Sequence, residues 1–174
     1  HWDGLRLEPI ENPGRERAWW VFGTDADHVY VVGERGLGLE RIARGQFVPF
    51  DTETKQTIYG IWGASPSRLY FASGDFIASE GRGRIHVRTS SGARAIDDAD
   101  LAAFQGKAMF KVLGSCDDDV FAAGERGAVF HYDGSSWTKM STPDARTPVL
   151  TLSGRSAMDV YAVGGRGTGA LWHY

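Results

Sequence analysis

A repeated spacing of glycine and aromatic residues constrains the fold of this chain of 174 residues more than any other feature. Each repeat begins with a glycine, places valine or leucine six residues later, and continues with tyrosine or phenylalanine. The pattern occurs four times, over residues 23–30, 63–70, 114–121 and 154–161. Four copies in this length give about 43 residues per copy, inside the range of about 40–45 residues that one four-stranded propeller blade occupies.

The third copy shows how one repeat is built. An apolar run at residues 120–123 is followed by the turn Gly124-Glu125-Arg126-Gly127, a second run at 128–132, and the dipeptide Asp133-Gly134. Asp-Gly between two strand-like runs predicts a type I′ hairpin turn with positive φ at both residues. The runs at 109–113 and 137–141 complete four short antiparallel strands, which is one blade of a β-propeller.

The sequence therefore predicts an all-β protein, a four-bladed β-propeller of four-stranded antiparallel blades. We expect a single domain over residues 1–174, with blades at about 19–51, 58–97, 109–141 and 149–174. Residues 98–107 are expected to form a short helical turn. The second strand of each blade is apolar at every position, as expected when both faces of a sheet are covered.

The two ends of the chain suggest how the ring closes. His1-Trp2-Asp3-Gly4 matches His131-Tyr132-Asp133-Gly134, and the last copy stops after its third strand. Residues 5–10 are expected to pair with residues 169–174, completing the C-terminal blade and removing its exposed edge. Chance placement of the chain ends is one alternative, and a half-ring that dimerises into an eight-bladed propeller is another. The chain begins without a signal-peptide pattern, as a processed or trimmed chain or a domain of a longer protein would.

Composition narrows the classes of partner. The net charge of −3 gives no strong positive field, which argues against nucleic acid. No apolar run approaches the ~20 residues of a membrane helix, so membrane insertion is not expected. The single cysteine, Cys116, excludes an internal disulfide.

Residues that often carry catalysis or metals have structural interpretations here. The acidic turns do not match a calcium loop, and aspartate favours turns by bonding its own backbone. The histidines are spread over different blades without metal spacing, and the carboxylates beside Cys116 disfavour a thiolate. Residues 33–38 resemble a phosphate loop but open a strand instead of a helix. We therefore expect no catalytic residue, no metal and no cofactor.

An arginine recurs before glycine in the turn between second and third strands. The four are Arg35, Arg82, Arg126 and Arg166. Successive turns of an antiparallel blade alternate between two faces, so all four lie on the face that also carries the longest connections between blades. A ring of guanidinium groups there would bind an acidic group bidentately. The alternative is that Glu34 and Glu125 pair with these arginines as struts between neighbouring blades.

Residues 131–137 and 159–164 carry a resemblance to known repeats. They resemble the β-propeller repeats of large secreted or surface proteins of bacteria, myxobacteria in particular, and more distantly the kelch, BNR and WD40 groups. The resemblance implies a ring of five to eight blades, or a four-bladed ring like hemopexin, in an extracellular or cell-surface bacterial protein. No Trp-Asp dipeptide closes a blade, and the sialidase box is missing.

Together these features predict a non-catalytic binding or scaffold module. It would recognise a protein, or a small anionic or carbohydrate ligand, through the loop face, as a monomer or homodimer. The competing function is a propeller enzyme, a glycoside hydrolase or lyase, with its site on that face. The fold alone does not decide between them.

Overall fold

Fifteen strands in four antiparallel sheets make up the fold in a computed structural model that describes residues 4–6, 9–42, 45–75, 81–156, 158–167 and 169–174. Sheet I contains β1 (Ala18–Gly23), β2 (Val29–Gly33), β3 (Gly38–Arg41) and β4 (Phe47–Pro49). Sheet II contains β5 (Thr57–Ser65), β6 (Arg68–Gly74), β7 (Arg84–Thr89) and β8 (Gly92–Ala95). Sheet III contains β9 (Met109–Cys116), β10 (Asp119–Gly124), β11 (Val129–Tyr132) and β12 (Trp137–Lys139). Sheet IV contains β13 (Val149–Ser156), β14 (Asp159–Gly164) and β15 (Ala170–His173).

Each sheet is an up-and-down meander whose strands pair in chain order. The predicted strands lie at these positions with ends shifted by a few residues, and the predicted fold class, a four-bladed β-propeller, is confirmed. The strands are short because glycine-containing turns recur at fixed spacing, and the strands of sheet II contain only four to nine residues.

Three clusters of buried apolar side chains fill the gaps between consecutive sheets. We call the side of a sheet that meets the following sheet its forward face, and the opposite side its backward face. Forward-face residues of one second strand pack against backward-face residues of the next. Tyr30 and Val32 of sheet I meet Leu69 and Phe71 of sheet II. Tyr70 and Ala72 of sheet II meet Val120 and Ala122 of sheet III, and Phe121 and Ala123 of sheet III meet Val160 and Ala162 of sheet IV.

The second strands serve two gaps at once because successive residues of a strand point to opposite faces. In β6 and β10 every residue after the first is buried, as the apolar sequence predicts. In β14 burial alternates instead: Val160 and Ala162 are buried, whereas Tyr161 and Val163 are exposed. Sheet IV is therefore covered on its backward face and open on its forward face.

The predicted closure of the ring is not confirmed. Sheet IV has three strands in the part of the chain that the structure describes. The fourth strand expected at residues 5–10 falls partly on residues 7 and 8, outside the described residues, and Leu5 and Ile10 are exposed. Among the described ranges, extensive interfaces join consecutive sheets, and none of that extent joins sheet I to sheet IV.

The hairpin at Asp133-Gly134 differs from the predicted type I′ turn. Gly134 has a positive φ of 92°, but Asp133 does not, and the loop between β11 and β12 has four residues. The Asp133 carboxylate accepts hydrogen bonds from the backbone N–H groups of Ser135 and Ser136, each at 2.9 Å, and from the Ser135 hydroxyl. The prediction was wrong because the aspartate side chain folds the loop by bonding its own backbone.

The glycine that ends each of the four second strands has a packing reason. A Cβ on Gly164 would lie 1.9 Å from the carbonyl oxygen of Pro148, and one on Gly33 would lie 2.0 Å from that of Arg17. In both sheets the connection entering the first strand crosses directly over this position. Only a residue without a side chain lets the two backbone segments approach so closely.

A short helix joins sheets II and III at their outer edge, as the sequence predicts. Helix α1 (Ala99–Ala102) is capped by the carboxylate of Asp98, which accepts from the N–H groups of Asp100 and Leu101. The other oxygen of Asp98 accepts from Trp137 N–H at 3.1 Å, and Asp100 accepts from Lys139 N–H at 2.9 Å. These bonds occupy donors on the outer edge of β12, where an open strand would otherwise be exposed. Across the described ranges, no helix has the length and hydropathy to span a membrane.

Candidate functional site

The turns that carry the repeated arginines are built alike in sheets I and III. Arg35 and Arg126 both adopt left-handed backbone, with φ of 53° and 58°. In each turn the residue after Arg-Gly donates its N–H back to the glutamate carbonyl, Leu37 to Glu34 and Ala128 to Glu125. This closed turn leaves the arginine side chain exposed at the end of the sheet.

The structure brings two of the four arginines into one cleft. Arg126 and Arg166 line it together, whereas Arg35 and Arg82 do not. Arg82 Nη1 donates instead to the carbonyl of Ala102 at 3.1 Å, and Arg35 lies 3.9 Å from the carboxylate of Glu16. The four arginines were proposed as one ring, whereas Arg126 and Arg166 are the two that line this cleft together.

This basic cleft has a volume of about 500 Å³ and lies at the loop ends of sheets III and IV. Its cationic side chains are Lys107, Arg126, Arg146 and Arg166, and its acidic residue is Glu125. Gly81, Gln105 and Pro148 complete its lining. A concentration of cations is notable in a chain whose overall net charge is −3.

Glu125 is committed to internal contacts. One oxygen of its carboxylate accepts the backbone N–H of Lys107 at 2.7 Å, and the other accepts Arg166 Nη2 at 2.9 Å. The Arg166 contact joins sheet III to sheet IV, so this arginine does act as a strut between blades. Arg126 and Arg146 form no ion pair at 4.0 Å or less within the described residues, although hydrogen bonds from Thr147 and Arg146 N–H, together with the charge of Arg146, lower the pKa of Asp144.

Sequence reasoning missed Lys107 and Arg146. Both belong to connections between a fourth strand and the next first strand, and these connections were correctly expected to share a face with the repeated arginines. Neither residue recurs in other copies, so no periodic signal marks it. Their convergence with Arg126 depends on how the connections cross the sheet ends.

A row of aromatic rings runs across the first strands near the same face. Trp19, Tyr59 and Phe110 make edge-to-face contacts, with centroids 5.8 Å and 5.6 Å apart. One residue further along, Lys111 Nζ of sheet III lies 3.7 Å from the ring centroid of Trp20 in sheet I. The corresponding residue of sheet II is Gly60, whose Cβ would lie 2.9 Å from the carbonyl oxygen of Phe110. Burial lowers the pKa of Lys111.

Two of the strand histidines form the same structural unit. His131 stacks on Phe121 and lies 2.7 Å from Asp119, and His173 stacks on Tyr161 and lies 3.0 Å from Asp159. Both rings are 4.3 Å from the aromatic centroid at 18°. Recurrence at equivalent positions of sheets III and IV indicates a packing role for these two histidines.

The remaining histidine of the third strands, His86, is buried in sheet II. Its Nε2 lies 3.0 Å from Ser73 Oγ. Burial first, and then the charge of Arg84, lowers the pKa of His86 to about 4.

The other residues considered for catalysis or metal binding have structural roles or no partner group. Asp25 in the first acidic turn accepts hydrogen bonds from the N–H groups of Asp27 and His28, as expected for a turn aspartate. Cys116 is exposed and unpaired at the end of β9. Throughout the described ranges, no three His, Cys, Asp or Glu side chains form a group suited to a metal ion.

No protein-family model and no curated protein matches the chain. Among solved structures, YCF48 from Cyanidioschyzon merolae superimposes with a TM-score of 0.67 at 13% identity, over 91% of this chain and 51% of that one. YCF48 bound to D1 peptide gives 0.65 at 13% identity, over 90% and 50%. An ancestral GH74 enzyme gives 0.61 at 18% identity, over 85% and 22%.

The chain thus spans about half the length of the YCF48 chains that it resembles. These neighbours are β-propeller proteins, one of them an enzyme. At such identities the similarity shows the fold alone. The chain shares the propeller architecture of these proteins, and its own side chains must supply the argument for function.

Proposed function

We propose that this chain is a non-catalytic binding module that recognises an acidic segment of a protein partner through the basic cleft. The observation that carries the proposal is the convergence of Lys107, Arg126, Arg146 and Arg166 in one cleft, where the carboxylate of Glu125 is already bonded. Loops on a rigid scaffold are where binding residues concentrate, and all four cations stand on turns or connections at one end of the sheets.

The cleft has the right chemistry for a carboxylate. Guanidinium groups present parallel N–H donors that match the two oxygens of an aspartate or glutamate side chain. Arg126 is held by its closed Glu-Arg-Gly turn, and Arg146 N–H is anchored to the carboxylate of Asp144 at 2.8 Å. These local bonds restrict the backbone at both arginines and reduce the ordering that binding would require.

A peptide partner is supported by the fold neighbour whose structure contains a bound peptide. A propeller offers a wide loop face, and Trp19 of the aromatic row, which is 49% exposed, provides apolar surface toward the same end of the sheets. A small free anion would use the same guanidinium chemistry but would gain nothing from that apolar surface. The absence of catalysis and a bacterial surface location are parts of the proposal that rest on the sequence.

The test uses a fluorescein-labelled polyglutamate peptide as the probe, with inorganic sulfate as the competing small anion. Replacing Arg126→Gln and Arg146→Gln together should weaken peptide binding at least about tenfold, since a hydrogen bond to a charged group contributes about 1.5–3 kcal/mol. The weakening should be greatest at low salt, because exposed charges are screened within about 10 Å at moderate ionic strength.

The matched control replaces two arginines that lie outside the cleft, Arg15→Gln and Arg94→Gln. This variant loses the same net charge and should bind the peptide like the parent. Equal affinity of the cleft variant and the parent would contradict the proposal. Sulfate binding as tight as peptide binding would replace the protein partner by a small anion.

A further inference from the structure

The forward face of sheet IV copies a face that is buried elsewhere in the same molecule. Registers align Tyr161 with Phe121 on the second strand and Leu171 with Val129 on the third. Phe121 and Val129 are 2% and 6% exposed, because sheet IV covers them. Tyr161 and Leu171 are 44% and 69% exposed. The same kind of surface is therefore covered in sheet III and open in sheet IV.

Sheets III and IV also share the same side-chain contacts on their forward faces. The stack of His173 on Tyr161 and its contact with Asp159 repeat the arrangement of His131, Phe121 and Asp119. In sheet III that unit lies at the interface with sheet IV. In sheet IV it is already assembled without a neighbour, so its open face is preorganised to receive another sheet.

Sheet I carries the matching surface on its backward face. Val21, Val29 and Val31 occupy the positions that Leu152, Val160 and Ala162 hold in sheet IV, where they pack against sheet III. Val21 is 63% exposed. The two open faces of the molecule thus correspond to the two sides of an interface that the chain forms internally three times.

We propose that a second copy of this chain docks head to tail on these two faces. The forward face of sheet IV in each copy packs on the backward face of sheet I in the other, giving two identical interfaces and a closed ring of eight blades. A second copy is the favoured occupant because it presents both complementary faces with the spacing set by the same four sheets. The YCF48 chains have the same fold and are about twice as long as this chain, so two copies of this chain match one YCF48 chain in length.

The outer part of sheet IV offers an additional site for the second copy. An apolar groove of about 440 Å³ between sheets III and IV is lined by Phe121, Met140, Trp172 and Tyr174, among others. In the gap between sheets II and III, the equivalent position is filled by Trp137 of β12.

Sedimentation equilibrium of the chain tests this arrangement. The parent should sediment as two copies of 19.0 kDa. Leu171→Glu on the forward face and Val21→Glu on the backward face should each give a single copy, because either change places a charge in both interfaces. Met158→Glu, at an exposed residue of the β13–β14 turn, is the matched control and should leave the mass at two copies.

Because Val21 and Leu171 are exposed within one chain, both variants should keep the circular dichroism spectrum of the parent. Val163→Glu, also on the open forward face, serves as the second variant if either of them fails to fold. A parent of one copy at the highest soluble concentration would overturn the proposal. So would a two-copy parent whose mass survives both substitutions, or an assembly larger than two copies.

Discussion

Acidification should destabilise this protein through His86, a histidine that the fold keeps neutral. Its side chain is 2% exposed, and the Ser73 hydroxyl lies 3.0 Å from both His86 Nε2 and Gln56 Oε1. Since Ser73 donates its one hydrogen to Gln56, His86 donates its Nε2–H to Ser73. Nδ1 is then a bare nitrogen with no hydrogen-bond partner among the described residues, and a proton placed there would have no acceptor.

The magnitude follows from the pKa of His86, which falls from 6.5 to about 4 on folding. Above 6.5 the histidine is neutral in both states and adds no pH dependence. Between 6.5 and 4 the unfolded chain binds the proton and the folded chain does not, so the free energy of unfolding falls as pH decreases. A difference of about 2.5 pKa units corresponds to a loss of about 3 kcal/mol across this window.

Urea unfolding at several pH values from 6.5 down to 4 measures this loss. The comparison variant is His86→Phe, because the equivalent strand position of sheet III holds Phe130. Carboxylates titrate in both proteins, so the difference between the two pH slopes isolates the histidine. The slope should decrease by about 1.4 kcal/mol per pH unit in the variant. An unchanged slope would show that His86 is protonated in the folded state and that its burial does not control acid stability.

Two further substitutions test the packing of the sheets. Gly164→Ala should lower the free energy of unfolding by about 3 kcal/mol, since its Cβ would meet the carbonyl oxygen of Pro148, whereas Gly169→Ala, with no atom within 4 Å, should have little effect in the same thermal melts. Asp98→Ala removes the cap of α1 and its bond to the edge of β12, and should cost about 1–3 kcal/mol. Asp97→Ala, one residue earlier on the surface, should melt like the parent, and equal losses from both aspartates would contradict the role given to the cap.

The repeated positions of the fold could be predicted from the sequence because their causes are local. The spacing from Gly114 to Phe121 fixes a first strand, a tight turn and a second strand within a few residues. The Asp133 loop shows the limit of this reasoning, since the dipeptide pattern does not reveal that the side chain bonds two N–H groups beyond it. Closure of the ring depends on the angle between sheets, which no local pattern encodes.

Half of the cationic residues in the candidate site could be predicted from the sequence. Arg126 and Arg166 recur at the same place in the repeat, and the structure brings them into one cleft. Lys107 and Arg146 occur once each, in connections whose path is set by the crossing of backbone over Gly124 and Gly164. Only the assembled sheets show that these four side chains converge, and that both carboxylate oxygens of Glu125 are bonded to neighbouring residues.

Gly60 has no side chain, and this affects which sheets unfold locally first. Because β9 approaches this position closely, Lys111 reaches past sheet II to Trp20 and ties the first three sheets together, in addition to the contacts between neighbours. Sheet IV lacks such a second tie in the described residues and is covered on one face. In the single-copy Leu171→Glu variant, whose sheet IV stays open on its forward face, amide hydrogen exchange should therefore be uneven, with β14 and β15 exchanging through a smaller local opening than β6 and β10. Sheet IV would be the first unit to detach, and sheets I to III would exchange together in a larger cooperative event.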